Sequence, residues 1–472
     1  MPKRTKIVAT ISALNCEVEF LKQLYEAGMD VARLNTAHMS ISEAERTIAN
    51  IRAVSDKIAI MIDTKGPEVR TMKTEQAIEL KCGDVVTISA AKKGGTIEVN
   101  YSDFVKRVAV GHRILIDDGE LELMIRAKNG DILECEAMNA GVIASYKSVN
   151  VPQVALPLPA LTAKDRVFIE FAIEQNLDFI AHSFVRSRDD IMAVRSMLET
   201  SGSHIAIIAK VENRQSIDNL DSIVASADGV MVARGDLGVE VPLEEVPELQ
   251  KRIIRSCILH HKPVIIATQM LQSMIKHPRP TRAEVSDVAN AVFDGTDAVM
   301  LSGETSAGKY PVQAVKMMTN IINQVESAPG DDFCRLNPVD ISDNTIRGEV
   351  VKFAVQAKDN LGLAAIVGLT QTGISARVAA AHRGSKPVYF GSPDATVVRQ
   401  LALSYGVYSY HHKYEEVQQK AFRPLLNELL AEWRLKATDL VACIGEFSGG
   451  VDGSNNFCCL ARVGDLLDPS KP

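Results

Sequence analysis

In the run Ala209-Lys210-Val211-Glu212, a lysine and a glutamate stand two residues apart at the end of an apolar stretch. On an extended strand, residues i and i+2 point to the same face. One ammonium and one carboxylate can therefore share a site. Further along, Arg234-Gly235-Asp236 adds a second carboxylate, again directly after an apolar run. Glu212 and Asp236 are hard oxygen ligands suited to Mg²⁺ or Mn²⁺, ions that hold phosphates with few protein ligands. Arg33 and Arg70 offer planar forks that match phosphate oxygens. A lysine beside a divalent ion can stabilise charge on a moving phosphoryl group or on an enolate. The plainer alternative for Lys210 and Glu212 is a structural ion pair. No Gly-rich Walker loop is present, which disfavours a P-loop phosphotransferase, and the HxxxH and HExxH zinc patterns are absent as well.

These residues need elements to position them. Short β-branched runs recur at Lys6–Ile11, Asp30–Leu34, Ile58–Ile62, Asp178–Ala181, Ile205–Ala209, Gly229–Ala233, Pro263–Ala267 and Asp297–Leu301. They are continuous apolar strands of the kind buried on both faces. Amphipathic helix patterns separate them. Thr162…Asp165, and Thr281…Glu284 after Pro280, read as capping boxes. Alternating units of this type predict an α/β fold, a (β/α)₈ barrel. Barrel active sites lie at the C-terminal strand ends. Here those ends carry Arg33-Leu34-Asn35-Thr36-Ala37-His38, Asp63-Thr64-Lys65, Ser183-Phe184-Val185-Arg186, Lys210-Val211-Glu212, Arg234-Gly235-Asp236, Thr268-Gln269-Met270 and Ser302-Gly303-Glu304. Any one polar end is an ordinary surface loop. The convergence of a lysine, carboxylates and arginines on one rim points to a site.

Composition narrows the class. The chain has 472 residues, about three domains at roughly 150 residues each. A formal charge of −7 makes it a poor general nucleic-acid binder. The hydrophobic share of 46% is that of a globular protein. No stretch approaches 18 uninterrupted apolar residues, and the basic start MPKRTKIVATIS runs into a strand pattern without a signal-type apolar region. No membrane association is expected. The eight cysteines form no C-x-x-C pair and sit mostly in apolar runs, as reduced thiols do in a cytoplasmic protein.

The spacing between the third and fourth apolar runs is far too long for a barrel crossover. Residues 69–157 carry Gly and Asp turns between alternating strands, which predicts a small antiparallel β-domain inserted into a barrel of residues 1–68 and 158–335. Pro67 and the VPQVALPLPA stretch are candidate hinges. The polar segment APGDDFCRLNPVDISDN reads as a linker. Residues 345–472 then read as an α/β domain with a mostly parallel sheet, with helices at Ile346–Lys358 and around Glu415–Trp433 and a final strand at Asn456–Arg462.

The motifs TKIVATIS, ARLN, DTKGPEVR, LPALTAKD, SFVRS, AKVEN, VARGDLGVE, ATQMLQSM, PTRAEVSDVANAVFDGTDAVMLSGETSAGKYP and LTQTGISARVAAAHRGSKP resemble the pyruvate kinase family, in order and from end to end. The resemblance implies a barrel, an inserted β-rich lid and a C-terminal effector-type domain. It implies phosphoryl transfer from phosphoenolpyruvate to ADP, giving pyruvate and ATP. On that likeness Lys210 would stabilise the transition state, and Glu212 and Asp236 would hold Mg²⁺ or Mn²⁺. Arg33 would contact the substrate phosphate. Gly235, Asp236 and Thr268 would bind the carboxylate, and Thr268, with Ser302 nearby, would serve enolate protonation. Asn35, His38, Arg70 and Lys164 would face the nucleotide. Members of the family are commonly homotetramers.

The sequence departs from the family's pattern after the second strand. Asn35, Asp63 and Thr64 match the family's potassium ligands, but Ala37 stands where a serine hydroxyl is usual. Thr36 should point elsewhere. Glu68 is the residue type of potassium-dependent members. The expectation is a weakened or water-completed K⁺ site with dependence retained. In the C-terminal domain, Thr370, Thr372, Gly373 and Ser375 lie between a strand and a helix, where free N–H groups suit an anion. With the loop Ser448–Ser454 they form the candidate site for a sugar-phosphate effector. Two rival readings are a lyase or mutase acting on phosphoenolpyruvate and a sensor with a decayed site. The inserted domain argues against the first, and the intact Lys210, Glu212, Asp236 and Thr268 argue against the second.

Overall fold

The computed structural model describes residues 3–91, 93–152, 154–327, 341, 345–413, 419–445 and 457–468. Eight parallel strands close a barrel in the order β1-β16-β15-β14-β13-β12-β3-β2. They are β1 (Lys6–Ile11), β2 (Val31–Asn35), β3 (Ala59–Asp63), β12 (Phe179–His182), β13 (Ala206–Val211), β14 (Gly229–Ala233), β15 (Val264–Ala267) and β16 (Ala298–Leu301). They coincide with the eight apolar runs read from the sequence. The runs lack polar alternation because both faces are covered. Val8, Val31, Met61, Phe179, Ile208, Met231 and Ile265 fill the interior, while Ile7, Ile60, Ile180, Ile207 and Val230 pack outward under the helices. Burying each such side chain contributes about 1.5–3 kcal/mol.

Eight further strands stand between β3 and β12: β4 (Ile78–Leu80), β5 (Val85–Ala90), β6 (Ile97–Val99), β7 (Arg113–Ile116), β8 (Leu121–Asn129), β9 (Ile132–Ala137), β10 (Gly141–Ile143) and β11 (Val149–Asn150). They form a sheet in the order β11-β7-β8-β9-β5-β6 and a β10-β4 pair around a core of their own. All pairings are antiparallel except β5 with β6, which is parallel and departs from the expected antiparallel plan. The Ser89 hydroxyl accepts from Gly95 N at 3.0 Å between these two strands.

The C-terminal sheet runs β19-β18-β17-β20-β21, from β17 (Ala365–Leu369), β18 (Val388–Ser392), β19 (Val407–His411), β20 (Leu440–Gly445) and β21 (Phe457–Arg462). Only the β20–β21 pair is antiparallel. The helix expected around Glu415–Trp433 is shorter. A 3₁₀ turn at Gln419–Phe422 leads into a helix at Arg423–Ala431, which ends before Trp433, whose φ is +58°. A left-handed residue cannot continue a right-handed helix. Residues 414–418, Cys334, most of the linker, and the loop 448–454 lie outside the described residues.

The two larger units are joined by buried charge. Asp178, fully buried below β12, accepts from Arg52 (3.0 Å), from Arg399 of the C-terminal unit (2.6 Å) and from Ile60 N (2.7 Å). Asp297, just before β16, is gripped by both terminal nitrogens of Arg383 and accepts from Tyr405 N at 2.9 Å. Leu403 enters the apolar floor of the barrel itself. No described helix is long and apolar enough to cross a membrane.

Candidate active site

The C-terminal strand ends bring the sequence-selected residues onto one rim. Arg33, next to Thr10 of β1 in register, donates from its terminal nitrogen to Thr10 Oγ1 (2.9 Å) and from Nε to Asp63 Oδ2 (2.7 Å). Asp63 Oδ1 faces Lys210 Nζ at 3.1 Å. Lys210 Nζ donates to Ser183 Oγ at 2.8 Å and stands 2.8 Å from Glu212 Oε1. Lys210 is thus a nearly buried ammonium between two carboxylates. Burial opposes its charge, but Asp63 and then Glu212 outweigh burial and hold its pKa above the ordinary lysine range. Asp63 is also buried, yet Arg33 and Lys210 keep its carboxyl ionised and its pKa low.

Glu212 behaves differently. Burial raises its pKa, Lys210 opposes that, and Asp236 adds like charge. Its Oε2 accepts from Phe184 N at 2.6 Å. Its Oε1 is buried and faces only the Lys210 ammonium, at 2.8 Å. A buried carboxylate oxygen with a second lone pair to spare, beside another carboxylate of raised pKa, suits a divalent cation. Among the described residues no cluster of three or more His, Cys, Asp or Glu forms a metal cage. Two carboxylates with room for ligand oxygens is the pattern expected of Mg²⁺ rather than of a closed structural site.

Thr268 and Gln269 both have positive φ, +69° and +55°. This strained turn puts Thr268 Oγ1 where Gly235 N donates to it at 2.7 Å, while Thr268 Oγ1 itself donates to Ala267 O. Strain of this kind persists only where the surroundings enforce it. Arg234 enforces it here. Its guanidinium donates to Thr268 O at 2.9 Å and is held bidentate by Asp287 at 2.6 and 2.7 Å. Glu304, buried, accepts from Leu271 N (3.0 Å) and Ser302 N (2.8 Å), and so fixes the ends of β15 and β16 together.

The residues matched to a nucleotide form a second group. Asn35 Oδ1 accepts from Ala37 N and caps the short turn that ends in His38. Lys164 Nζ donates to Ala37 O at 3.2 Å and lies over the Phe168 ring. His38 and Lys164 line one open hollow of about 610 Å³ with Met39, Ile41, Val167 and Phe168. The helix that carries Lys164 (Ala163–Glu174) begins with the expected Thr162/Asp165 capping box. Asp165 also accepts from Lys65 N and Gly66 N, and so joins that helix to the DTKGP loop. Gly66 has φ +69°, and a Cβ there would meet Phe184 at 2.7 Å, so only glycine fits. Arg70 lies apart from the hollow, with Nε on Glu68 (2.7 Å) and a terminal nitrogen on Tyr146 O (2.6 Å).

The oxygens matched to potassium are already engaged. Asn35 Oδ1 holds Ala37 N, Asp63 holds Arg33 and Lys210, and Thr64 O accepts from Ser183 Oγ at 2.6 Å. Thr36 Oγ1 donates to Asp63 O at 2.8 Å, so it does not replace the hydroxyl missing at Ala37. Ala37 leaves this donor set one side-chain oxygen short of the family's pattern. In the C-terminal unit, Thr370 Oγ1 accepts from Gly373 N at 2.9 Å, Gly373 is left-handed at φ +77°, and Ser375 is buried. The Thr370 hydroxyl therefore occupies one of the N–H groups that the sequence offered to an anion.

Comparison with known proteins decides the family. Residues 2–315 match the model of the pyruvate kinase barrel domain, and residues 348–461 match that of the pyruvate kinase alpha/beta domain. The chain belongs to the pyruvate kinase family. Among its relatives, the pyruvate kinase of Borreliella burgdorferi is 48% identical over 410 residues, covering 86% of each chain. The pyruvate kinase of Geobacillus stearothermophilus is 44% identical over 99% of this chain and 81% of its own. That of Bacillus licheniformis is 43% identical over 98% and 81%. Membership makes the protein a phosphotransferase and agrees with the barrel, the added β-sheet and the C-terminal α/β unit. Sequence reasoning placed Ser183, Arg234 and Glu304 on the rim and Asp165 in a helix cap, but gave none of the four a role in the site. Ser183, Asp165 and Glu304 from buried positions, and Arg234 from a half-buried one, bond to backbone or to site residues, and the sequence does not show which partner each takes.

Proposed function

We propose that the chain transfers the phosphoryl group of phosphoenolpyruvate to ADP, giving pyruvate and ATP. In this step a β-phosphate oxygen of ADP forms a bond to phosphorus, the phosphorus bond to the enol oxygen breaks, and the enolate gains a proton at carbon three. The observation that carries the reading is the buried Lys210 ammonium, held charged by Asp63 and Glu212 and aimed by Ser183. A fixed positive charge in a site poor in water stabilises charge on the transferring group without reorganising. Arg33 binds the substrate phosphate beside it. Thr268 and the Gly235–Asp236 turn orient the substrate carboxylate, and the Thr268 hydroxyl, with Ser302 nearby, stands on the path by which the enolate is protonated.

Glu212 and Asp236 would hold Mg²⁺ or Mn²⁺, which supplies charge neutralisation between substrate and protein. His38, Lys164 and the apolar wall of their hollow receive the nucleotide, with Asn35 fixing the turn that carries His38. The β-rich unit, residues 69–157, acts as a lid over the barrel of 1–68 and 158–335 and brings Arg70 towards the nucleotide, excluding the water that would hydrolyse the phosphoryl group. The unit 345–472 carries the regulatory site around Thr370, Thr372, Gly373 and Ser375 for a sugar phosphate. The working form is a cytoplasmic homotetramer.

The test is pyruvate formation from phosphoenolpyruvate, ADP and Mg²⁺ by the parent and by Lys210→Met. Activity that disappears with Lys210 is expected. An inactive, folded parent would overturn the reading in favour of a ligand sensor.

A further inference from the structure

Where the barrel meets the C-terminal sheet, Lys262, Arg377, Arg383, His261, Asp297 and Ser404 line a small cleft of about 10 Å³, room for about one oxygen-sized atom. Its charge is unbalanced. Arg383 is neutralised by Asp297, and Arg195, behind Lys262, is neutralised by Asp228 at 2.7 Å. Lys262 and Arg377 have no carboxylate within ion-pair distance among the described residues. Four cations thus face two carboxylates. Burial lowers the pKa of Lys262, Asp228 opposes that, and Arg377 and Arg195 lower it further, so the cluster repels itself. Ser404 Oγ, on a residue 1% exposed, lines the same cleft and has no hydrogen-bond partner. A buried hydroxyl without a partner, beside two uncompensated cations, is a place where an acceptor atom is missing.

We propose that this cleft binds a small inorganic oxyanion of the phosphate class between Lys262 and Arg377. One anionic oxygen fills the cleft, accepting from both cations and from Ser404 Oγ, while the remaining oxygens stay at the mouth. The site bridges two units: Lys262 precedes β15 of the barrel, and Arg377 lies on the helix Ile374–Ala381 of the C-terminal unit. Arg377 also donates to Thr372 O at 2.9 Å, so an anion here stiffens the segment that holds Thr370 and Gly373. The proposal does not depend on what the barrel rim catalyses.

The experiment compares thermal unfolding in phosphate and in gluconate at matched ionic strength, for the parent, Lys262→Gln, Arg377→Gln and the charge-keeping Lys262→Arg. Phosphate held elsewhere raises Tm equally in all four, so differences isolate the cleft. The parent and Lys262→Arg are expected to gain a further ~1–2 °C at about ten times the dissociation constant, and the two Gln variants to lose that gain. Pyruvate-forming activity without phosphate should be unchanged in all. Crystals of the parent grown in selenate should show an anomalous peak between Lys262 Nζ and the Arg377 guanidinium. Equal phosphate gains in all four proteins, or selenate-grown crystals of the parent with no peak in the cleft, would overturn the proposal.

Discussion

Ser183 Oγ accepts from Lys210 Nζ at 2.8 Å and stands 2.6 Å from Thr64 O, to which it donates. One hydroxyl thereby fixes the ammonium of β13 against the loop after β3. Ser183→Ala should leave Lys210 charged but poorly aimed. We expect kcat to fall about 10-fold with KM for phosphoenolpyruvate little changed. Ser183→Thr should recover part of the loss. A change confined to KM would assign Ser183 to substrate binding instead.

Glu212→Gln removes half of the carboxylate pair while keeping its shape. Even partners behind metal ligands cost about 10–100-fold in metal affinity. The Mg²⁺ concentration for half-maximal activity should rise by at least that factor, and excess Mn²⁺ should restore more activity than excess Mg²⁺. An unchanged metal requirement would remove Glu212 from the cation site.

Potassium tests the consequence of Ala37. With the donor set incomplete, activation by K⁺ should be present but need a high concentration. Ala37→Ser should lower the half-activating concentration roughly 10-fold, equivalent to about 1.4 kcal/mol. Equal parent activity in potassium and in tetramethylammonium would show that the incomplete site plays no part.

His182 at the end of β12 is fully buried, and burial lowers its pKa to about 4, against the opposing charges of Asp190 and Asp165. Unfolding returns it to about 6.5. The unfolded state therefore binds more protons between these values. The stabilising contribution is complete above about pH 6.5 and is lost as pH falls towards 4. The urea midpoint of the parent should drop over that window, and the drop should be shallower in His182→Leu. Parallel pH profiles would disprove the assignment.

Much of this architecture was legible in the chain. Parallel strands covered on both faces read as unbroken apolar runs, so β1 to β3 and β12 to β16 announced themselves. So did the rim, because Lys210, Glu212, Asp236 and Thr268 follow such runs directly. Other features were not legible. The parallel β5–β6 pair comes with a bond from Gly95 to the Ser89 hydroxyl, and the early end of the helix before Trp433 goes with one left-handed residue. The engagement of Asn35, Asp63 and Thr64 by protein donors is likewise a matter of three-dimensional neighbours. Spacing along the chain does not encode which oxygen is already taken.

Asp178 gathers Arg52, Arg399 and Ile60 N from both units. Asp178→Asn leaves the half-buried Arg52 and Arg399 without their carboxylate, and we expect a loss of about 1.5–3 kcal/mol, read as a lower urea midpoint. Kinetic constants measured well below that midpoint should be nearly normal.

Leu403 has a wider consequence. A chain cut after the last barrel helix would lack the side chain that closes the floor of its own barrel, leaving an oily socket facing solvent. The barrel is thus not a free-standing module, because part of its floor is built by the C-terminal unit. The two units are held together through a shared interior and buried ion pairs, not by a tether alone.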